Sequence, residues 1–157
     1  MRTISDDVIV DFSGAAGRDD FFRTWGLAEP GPSRLWRDLE EALALGCAQG
    51  ETGTLWAPSF FVQLDDPADP FSALLAIRPG AALHAAPDGA SAVVARLEWD
   101  VLTLRPGGAI DRWWPVALAD GRSGWVPSAE VRGLLDYRAS FRKIEGRWRM
   151  TAFIAGD

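Results

Sequence analysis

Four stretches in the first part of the chain carry apolar residues at regular spacing. Val8–Phe12 alternates around acidic residues and Thr54–Leu64 is rich in Trp, Phe and Val, so both predict strands. Arg18–Trp25 and Arg34–Leu45 carry apolar residues at helical spacing and predict two helices. Pro58 lies inside the second strand-like stretch and indicates an edge position or a bulge there.

The pattern changes in the middle of the chain. Between Leu74 and Val131, short apolar runs follow one another closely, and glycine- and proline-containing turns separate them. These turns are Pro79-Gly80, Pro87-Asp88-Gly89, Pro106-Gly107-Gly108 and Asp120-Gly121. Many short strands at close spacing are typical of a small β-barrel.

The last part of the chain predicts a hairpin. Tyr137–Ile144 and Arg147–Ala155 flank a two-residue turn, Glu145-Gly146. A hairpin has exposed edges, so we expect it to pair with strands near residues 8 and 60. The predicted fold is therefore α+β, with a helix-and-strand segment over residues 1–72, a small barrel over 73–133 and a C-terminal hairpin over 134–157.

Composition and charge exclude several classes of protein. The 157 residues are 48% hydrophobic and include eight Trp, which excludes a disordered polymer. A formal charge of −6 disfavours nucleic-acid binding, and no apolar run approaches the roughly 20 residues of a membrane span. The single Cys47 and single His84 give no internal disulfide and no His/Cys metal site, and we expect no cofactor.

The middle segment carries residues that resemble a known family. These are Leu83-His84-Ala85-Ala86-Pro87, Val93–Leu104, Trp113-Trp114-Pro115-Val116 and Asp120-Gly121-Arg122-Ser123-Gly124-Trp125-Val126. Together they resemble the bacterial SH3-like domain family over residues 77–131. The glycine-tryptophan strand entry at the end is the most specific part. Two positions differ from the family's usual pattern: His84 replaces an arginine, and Trp99-Asp100 replaces a glycine-containing turn.

The resemblance implies a five- or six-stranded SH3-like β-barrel, often found in proteins of the bacterial cell envelope. Such domains bind peptides or cell-wall polymer, or position a neighbouring domain. The implied location is periplasmic or envelope-associated. The opening residues Met1–Asp7 lack the features of a secretory signal, so the residues alone indicate either a cytoplasmic protein or a signal that has been removed.

Two tryptophans are candidates for a binding surface on this barrel. Trp113 and Trp114 are adjacent on one predicted strand and point to opposite faces. Trp114 shares its face with Val116, which makes Trp113 the candidate for an exposed aromatic platform. Trp99 is the second candidate. The alternative for both rings is packing against the flanking segments, whereas Trp125 is expected in the core.

The hairpin offers a second candidate site. The two-residue turn places Phe141 across from Met150 on the core face, and it places Arg142 directly opposite Arg149 on the other face. That other face also carries Arg138 and Arg147, so the cluster suggests an anionic partner. The alternative is a solvated face that is neutralised by the protein's own carboxylates.

Catalysis has little support in the sequence. Cys47 follows the C-terminal end of its predicted helix, where a thiolate is disfavoured, and we expect it to be a buried or partly buried structural residue. Glu98 and Asp100 share a predicted strand face without any indication of a cleft. The Asp65-Asp66-Asp69 cluster lacks the ligand spacing of a known calcium loop.

Two hypotheses remain open. The first is a non-enzymatic binding or scaffolding module of the cell envelope that recognises peptide or cell-wall polymer through Trp99 and Trp113. The second is a ligand-binding or regulatory α+β protein with an arginine-lined site for an anion or small molecule. In this hypothesis the hairpin arginines Arg138, Arg142 and Arg149 form the site together with the N-terminal helices, and the barrel is structural. An exposed Trp113 favours the first, and a pocket under Arg138 and Arg142 favours the second. Unpaired strand edges also allow a homodimer.

Overall fold

The computed structural model describes residues 3–28, 31–64 and 69–156. The chain forms two compact units, and each contains one β-sheet, so the fold is α+β. The first unit comprises Met1–Asp65 and Leu135–Asp157, and the second comprises Asp66–Leu134.

Among its described residues, the first unit combines a five-stranded sheet with three α-helices and one short 3₁₀ helix, Glu51–Gly53. Its elements in chain order are β1 (Ile4–Ile9), α1 (Arg18–Thr24), α2 (Leu35–Ala44), β2 (Ala48–Gln49), β3 (Leu55–Ala57) and α3 (Phe60–Gln63). The strands of the second unit are β4 (Ala73–Ala76), β5 (Ala81–His84), β6 (Val93–Leu97), β7 (Val101–Leu104), β8 (Trp113–Ala117), β9 (Ser123–Pro127) and β10 (Val131–Gly133). The chain then returns to the first unit with β11 (Arg138–Ile144) and β12 (Arg147–Ile154).

The C-terminal hairpin forms the centre of the first sheet. The strand order is β1-β12-β11-β3-β2, so β12 pairs with β1 and β11 pairs with β3. Glu145 and Gly146 form the turn with φ of 49° and 77°, the two positive values that a type I′ hairpin turn requires. Pairing of β11 with β12 places Phe141 opposite Met150, as the turn predicts.

The core of the first unit lies between the sheet and the first two helices. Phe21 of α1 and Leu35 of α2 are buried there against Phe153 of β12. The helical spacing predicts an apolar stripe of Leu35, Trp36, Leu39, Ala42 and Leu43 on α2, and the structure differs from it. Asp38 is 5% exposed and accepts hydrogen bonds from the exposed side chains of Arg34 and Arg37, whereas Trp36 is 53% exposed.

The predicted strand over Thr54–Leu64 is divided in the structure. Strand β3 ends at Ala57, and the chain continues after Pro58 as helix α3. Pro58 has no backbone N–H to donate to a neighbouring strand, so the β ladder ends there. Trp56 of β3 and Phe61 of α3 then pack on each other with ring centroids 4.9 Å apart.

The second unit is a seven-stranded sheet with its own core. The strand order is β10-β4-β7-β8-β9-β5-β6. Leu83, Leu102 and Val116 lie in its core and are fully buried. Over residues 69–134, strands β10 and β6 each pair with one neighbour and not with each other, so the expected barrel is not closed.

Candidate functional site

Trp99 is displayed in the tight turn between β6 and β7. Its backbone has φ of 64°, a left-handed conformation that costs a non-glycine residue about 1–2 kcal/mol. The carboxylate of Asp100 fixes the turn, because its Oδ2 accepts a hydrogen bond of 2.8 Å from the backbone N–H of Glu98. The indole is 49% exposed. The carboxylate of Asp100 therefore stabilises the turn. This argues against the pairing of Asp100 with Glu98 as two catalytic carboxylates.

Trp113 occupies a different environment from Trp99. It opens β8 and is half-buried, and its ring meets the His84 ring edge to face at a centroid distance of 5.1 Å. His84 pairs with Trp125 across β5 and β9, and His84 is 8% exposed. The Nδ1 atom of His84 is buried and has no hydrogen-bond partner among the described residues. Trp113 thus shields His84 from solvent and is itself only partly exposed. It is not the fully exposed aromatic platform that its position on the predicted strand suggested.

The tryptophans on β8 and β9 divide between the two faces of the second sheet. Trp114 packs against the core with Val116, as predicted. Trp125, expected in the core, is only partly buried, because its neighbour Val126 occupies the core side of β9. No ring contact links Trp99 with Trp113 within residues 69–134, so the two candidates do not form one aromatic cluster.

The hairpin arginines do not form a single exposed face. Arg138 is only 3% exposed, whereas Arg142 is exposed. The guanidinium of Arg138 donates a hydrogen bond of 2.8 Å to the carbonyl of Gly156, and its carbon atom lies 4.6 Å from the centroid of the Phe61 ring. Arg138 was expected on an exposed face of the hairpin, where it would either bind an anionic partner or be solvated and neutralised by the protein's own carboxylates. Sequence periodicity gives the face of a strand but not what covers it, and here Phe61 of α3 lies over Arg138.

The other two predicted arginines are opposite one another, as expected. Arg142 of β11 pairs with Arg149 of β12. Asp7 on β1 carries a compensating negative charge. A hydrogen bond from the hydroxyl of Ser5 is the main cause that holds the pKa of the Asp7 carboxyl below its usual value, and the positive charge of Arg142 adds to it.

A polar cleft lies beside the hairpin in the first unit. It has a volume of about 500 Å³ and is lined by Asp6, Arg18, Glu145, Arg147 and Arg149. The cleft includes Arg149 of the predicted site but neither Arg138 nor Arg142. It therefore differs from the pocket that was considered under Arg138 and Arg142. Arg18 begins α1, one of the N-terminal helices expected at such a site, but it was not among the predicted site residues. The parallel pairing of β1 with β12, which brings the start of the chain to the hairpin, has no signal in the sequence.

The remaining candidates for chemistry are scattered. Cys47 is exposed, contrary to the expected structural burial, because the chain leaves α2 through Gly46 at the surface. The described residues contain no group of three or more His, Cys, Asp or Glu side chains that could hold a metal ion. Of the acidic cluster, Asp65 and Asp66 lie outside the described residues.

Two exposed tryptophans were not identified as site candidates from the sequence. Trp36 on α2 is 53% exposed, and Leu43 lies seven residues later on the same helix and is also exposed. The hairpin turn predicts Trp148 across from Lys143 on the core face. Trp148 is instead 49% exposed, because it lies near the tip of the hairpin across from the exposed Lys143. Their periodicity indicated burial, so no sequence signal distinguished them.

Comparison with known proteins identifies no related protein or family. The chain matches no family model, and neither the curated proteins nor the solved structures include a detectable match. Among residues 3–28, 31–64 and 69–156, no helix is long and apolar enough to cross a membrane. The fold and the sites together define an α+β protein with two sheets, an exposed tryptophan turn in one unit and an arginine-lined cleft in the other.

Proposed function

We propose that this protein is a non-enzymatic binding or scaffolding module that recognises peptide or cell-wall polymer, with Trp99 as its principal contact. The observation that carries the proposal is the display of this ring. A large apolar side chain is 49% exposed on a turn whose left-handed backbone suits glycine better. Backbone strain at an exposed residue is a feature of functional sites.

The chemistry of the turn fits a polymer ligand. An exposed indole offers a flat apolar face and an N–H donor, which together suit peptide or sugar surfaces. Val101 follows on β7 and is 42% exposed, which extends the apolar surface beyond the ring. The hydrogen bond between Asp100 and Glu98 fixes the turn before binding, so less conformational entropy is lost when a ligand contacts it.

The resemblance of residues 77–131 to bacterial SH3-like domains supports the same class of ligand. The glycine-tryptophan entry at Gly124-Trp125 lies near the start of β9, and β9 lies between β5 and β8. In the proposal this segment is an SH3-like barrel of the open kind, located in the cell envelope. Trp113 has a supporting role, since it contacts His84 and is only partly exposed.

Binding of the purified protein to insoluble peptidoglycan at low and high salt tests the proposal. Trp99→Gly removes the ring and gives the turn the residue that its backbone favours. Trp148→Ala is the matched control, because Trp148 is also 49% exposed but belongs to the first unit. We expect salt-resistant binding that Trp99→Gly abolishes and Trp148→Ala preserves. Absence of binding by the unsubstituted protein, or equal losses in both variants, would refute the proposal.

A further inference from the structure

The arginine-lined cleft belongs to the first unit, whereas the turn that displays Trp99 belongs to the second. We propose that it binds a small anion through a phosphate group. Three of its five lining residues are arginines, although the protein as a whole carries a formal charge of −6. The guanidinium group donates pairs of parallel hydrogen bonds that match phosphate oxygens.

Arg149 has donor capacity that the protein leaves unused. Its side chain is 16% exposed, and its Nε is buried without a hydrogen-bond acceptor among the described residues. Its nearest carboxylate belongs to Glu145, with 3.9 Å between Nη2 and Oε2. That distance permits charge attraction but exceeds a hydrogen bond. A buried donor without an acceptor is costly. Arg149 lines the cleft, so an anion there would accept hydrogen bonds from its guanidinium group.

The neighbouring arginines add positive charge that is only partly compensated. Arg147 lines the cleft and forms no ion pair with another described residue. Arg142 lies directly across the ladder from Arg149, and like charges at paired positions are unfavourable unless a counter-charge is near. Asp7 supplies part of that counter-charge. A bound phosphate group would supply more of it.

Arg18 is held in place before any ligand arrives. It donates a hydrogen bond of 2.8 Å from Nη2 to the carbonyl of Ile4, and its Nη1 lies 3.0 Å from Oδ1 of Asp6. A cation that is fixed in this way loses little side-chain entropy on binding. Its ion pair with Asp6 also limits the net charge of the cleft, which suits one small anion better than several.

The surroundings of the cleft argue against an extended polyanion. An adjoining cleft of about 470 Å³ shares Asp6 and Arg18 and adds the charged residues Asp19, Asp20 and Arg23 to its lining, with Arg23 in an ion pair of 2.7 Å with Asp20. A nucleic acid or another long polyanion that lay across both clefts would meet these carboxylates. A phosphate monoester or free inorganic phosphate would reach the arginines without meeting them.

Titration of ¹⁵N-labelled protein with inorganic phosphate, followed by amide NMR shifts, tests this site. The comparison titrations use glycerol 3-phosphate and sodium chloride at equal ionic strength. We expect saturable shifts at residues 4–7, 18 and 145–150 with both phosphate compounds and none with chloride. Tighter binding of glycerol 3-phosphate would identify a phosphorylated small molecule as the ligand, and equal affinity would identify free phosphate.

Three variants connect the binding to the cleft. Arg149→Gln and Arg147→Gln should each weaken phosphate binding by about tenfold, as loss of a charge-assisted hydrogen bond predicts. Arg78→Gln is the control, because Arg78 is exposed and lies in the second unit. Glu145→Gln should tighten binding, because it removes a carboxylate that competes for Arg149. A gain of affinity cannot result from misfolding.

The proposal is wrong if phosphate and chloride cause the same shifts, or if Arg78→Gln weakens binding as much as Arg147→Gln does. It is also wrong if Glu145→Gln leaves the affinity unchanged while the variant remains folded. Because these outcomes concern residues of the first unit, they are distinct from any result obtained with Trp99.

Discussion

The ring of Trp113 contacts the ring of His84 edge to face, with the centroids 5.1 Å apart. His84 is 8% exposed, and Trp113 provides part of its cover. A half-buried tryptophan in this position contributes to stability in addition to any role at the surface.

We therefore expect Trp113→Ala to lower the free energy of unfolding by about 1–3 kcal/mol, because it removes apolar burial and the ring contact. Urea denaturation followed by circular dichroism measures this change. An unchanged transition midpoint would show that the indole contributes no packing and would restore Trp113 as a pure surface residue.

Trp99→Gly should behave differently. The substitution removes a ring that is 49% exposed and relieves a backbone with φ of 64°. It also increases the entropy of the unfolded chain, and these opposing effects should keep the change in unfolding free energy within about 1 kcal/mol. The same urea experiment tests it, and a loss of several kcal/mol would mean that the ring is structural.

Asp38 should make stability depend on pH. It is buried, which would raise the pKa of its carboxyl, but hydrogen bonds from Arg34 and Arg37 outweigh this cost and lower it. A lowered pKa in the folded state contributes stability that is complete above the ordinary aspartate pKa of about 3.9 and disappears as pH falls below it. Asp38→Asn should cost about 1–2 kcal/mol at pH 7 and should flatten the acid side of the stability profile.

The control for Asp38 is Glu40→Gln on the same helix, where the side chain is exposed. Chemical denaturation at several pH values between 3 and 7 compares the three proteins. If Asp38→Asn and the unsubstituted protein lose stability in parallel as the pH falls, the paired arginines do not affect the Asp38 carboxyl.

Gly124 should tolerate no side chain. A Cβ atom at this position would collide with the backbone carbonyl of His84, because β9 and β5 approach closely there. We expect Gly124→Ala to destabilise the protein by about 2–3 kcal/mol, since backbone has to move. Gly89→Ala is the control, because a Cβ there meets nothing within 4 Å. Thermal denaturation distinguishes them, and equal melting temperatures would contradict the close approach.

Local signals in the sequence predicted the hairpin well. Glu145-Gly146 specified the turn, and the turn specified the pairing of Arg142 with Arg149. The register shift between Ser140 and Phe141 has no equivalent signal, because a bulge inserts a residue without changing the composition of the strand. It places Phe153 rather than Ala152 opposite Ala139 in the core of the first unit.

The candidate sites were predicted less completely. The exposure of Trp99 agrees with the prediction of a binding surface rather than with the alternative of packing against the flanking segments. A bulky residue in a turn has few neighbours to pack against. The burial of Arg138 depends on Phe61, which belongs to a different element, and periodicity does not specify that contact. Asp38 is paired within its own helix with Arg34 and Arg37, but the apolar pattern of the helix does not mark it as buried. The Arg18 contribution to the cleft depends on a parallel strand pairing between distant segments, which periodicity cannot specify.

The pairing of β4 with β10 has a consequence for the sheet of the first unit. These strands begin and end the second unit, and Ala76 pairs with Val131. Strands β3 and β11 must meet across the whole of that insertion. When the second unit folds, its paired ends shorten the effective loop between them. Each halving of loop length saves about 0.6 kcal/mol of closure entropy, so the second unit stabilises the other sheet as a crosslink would.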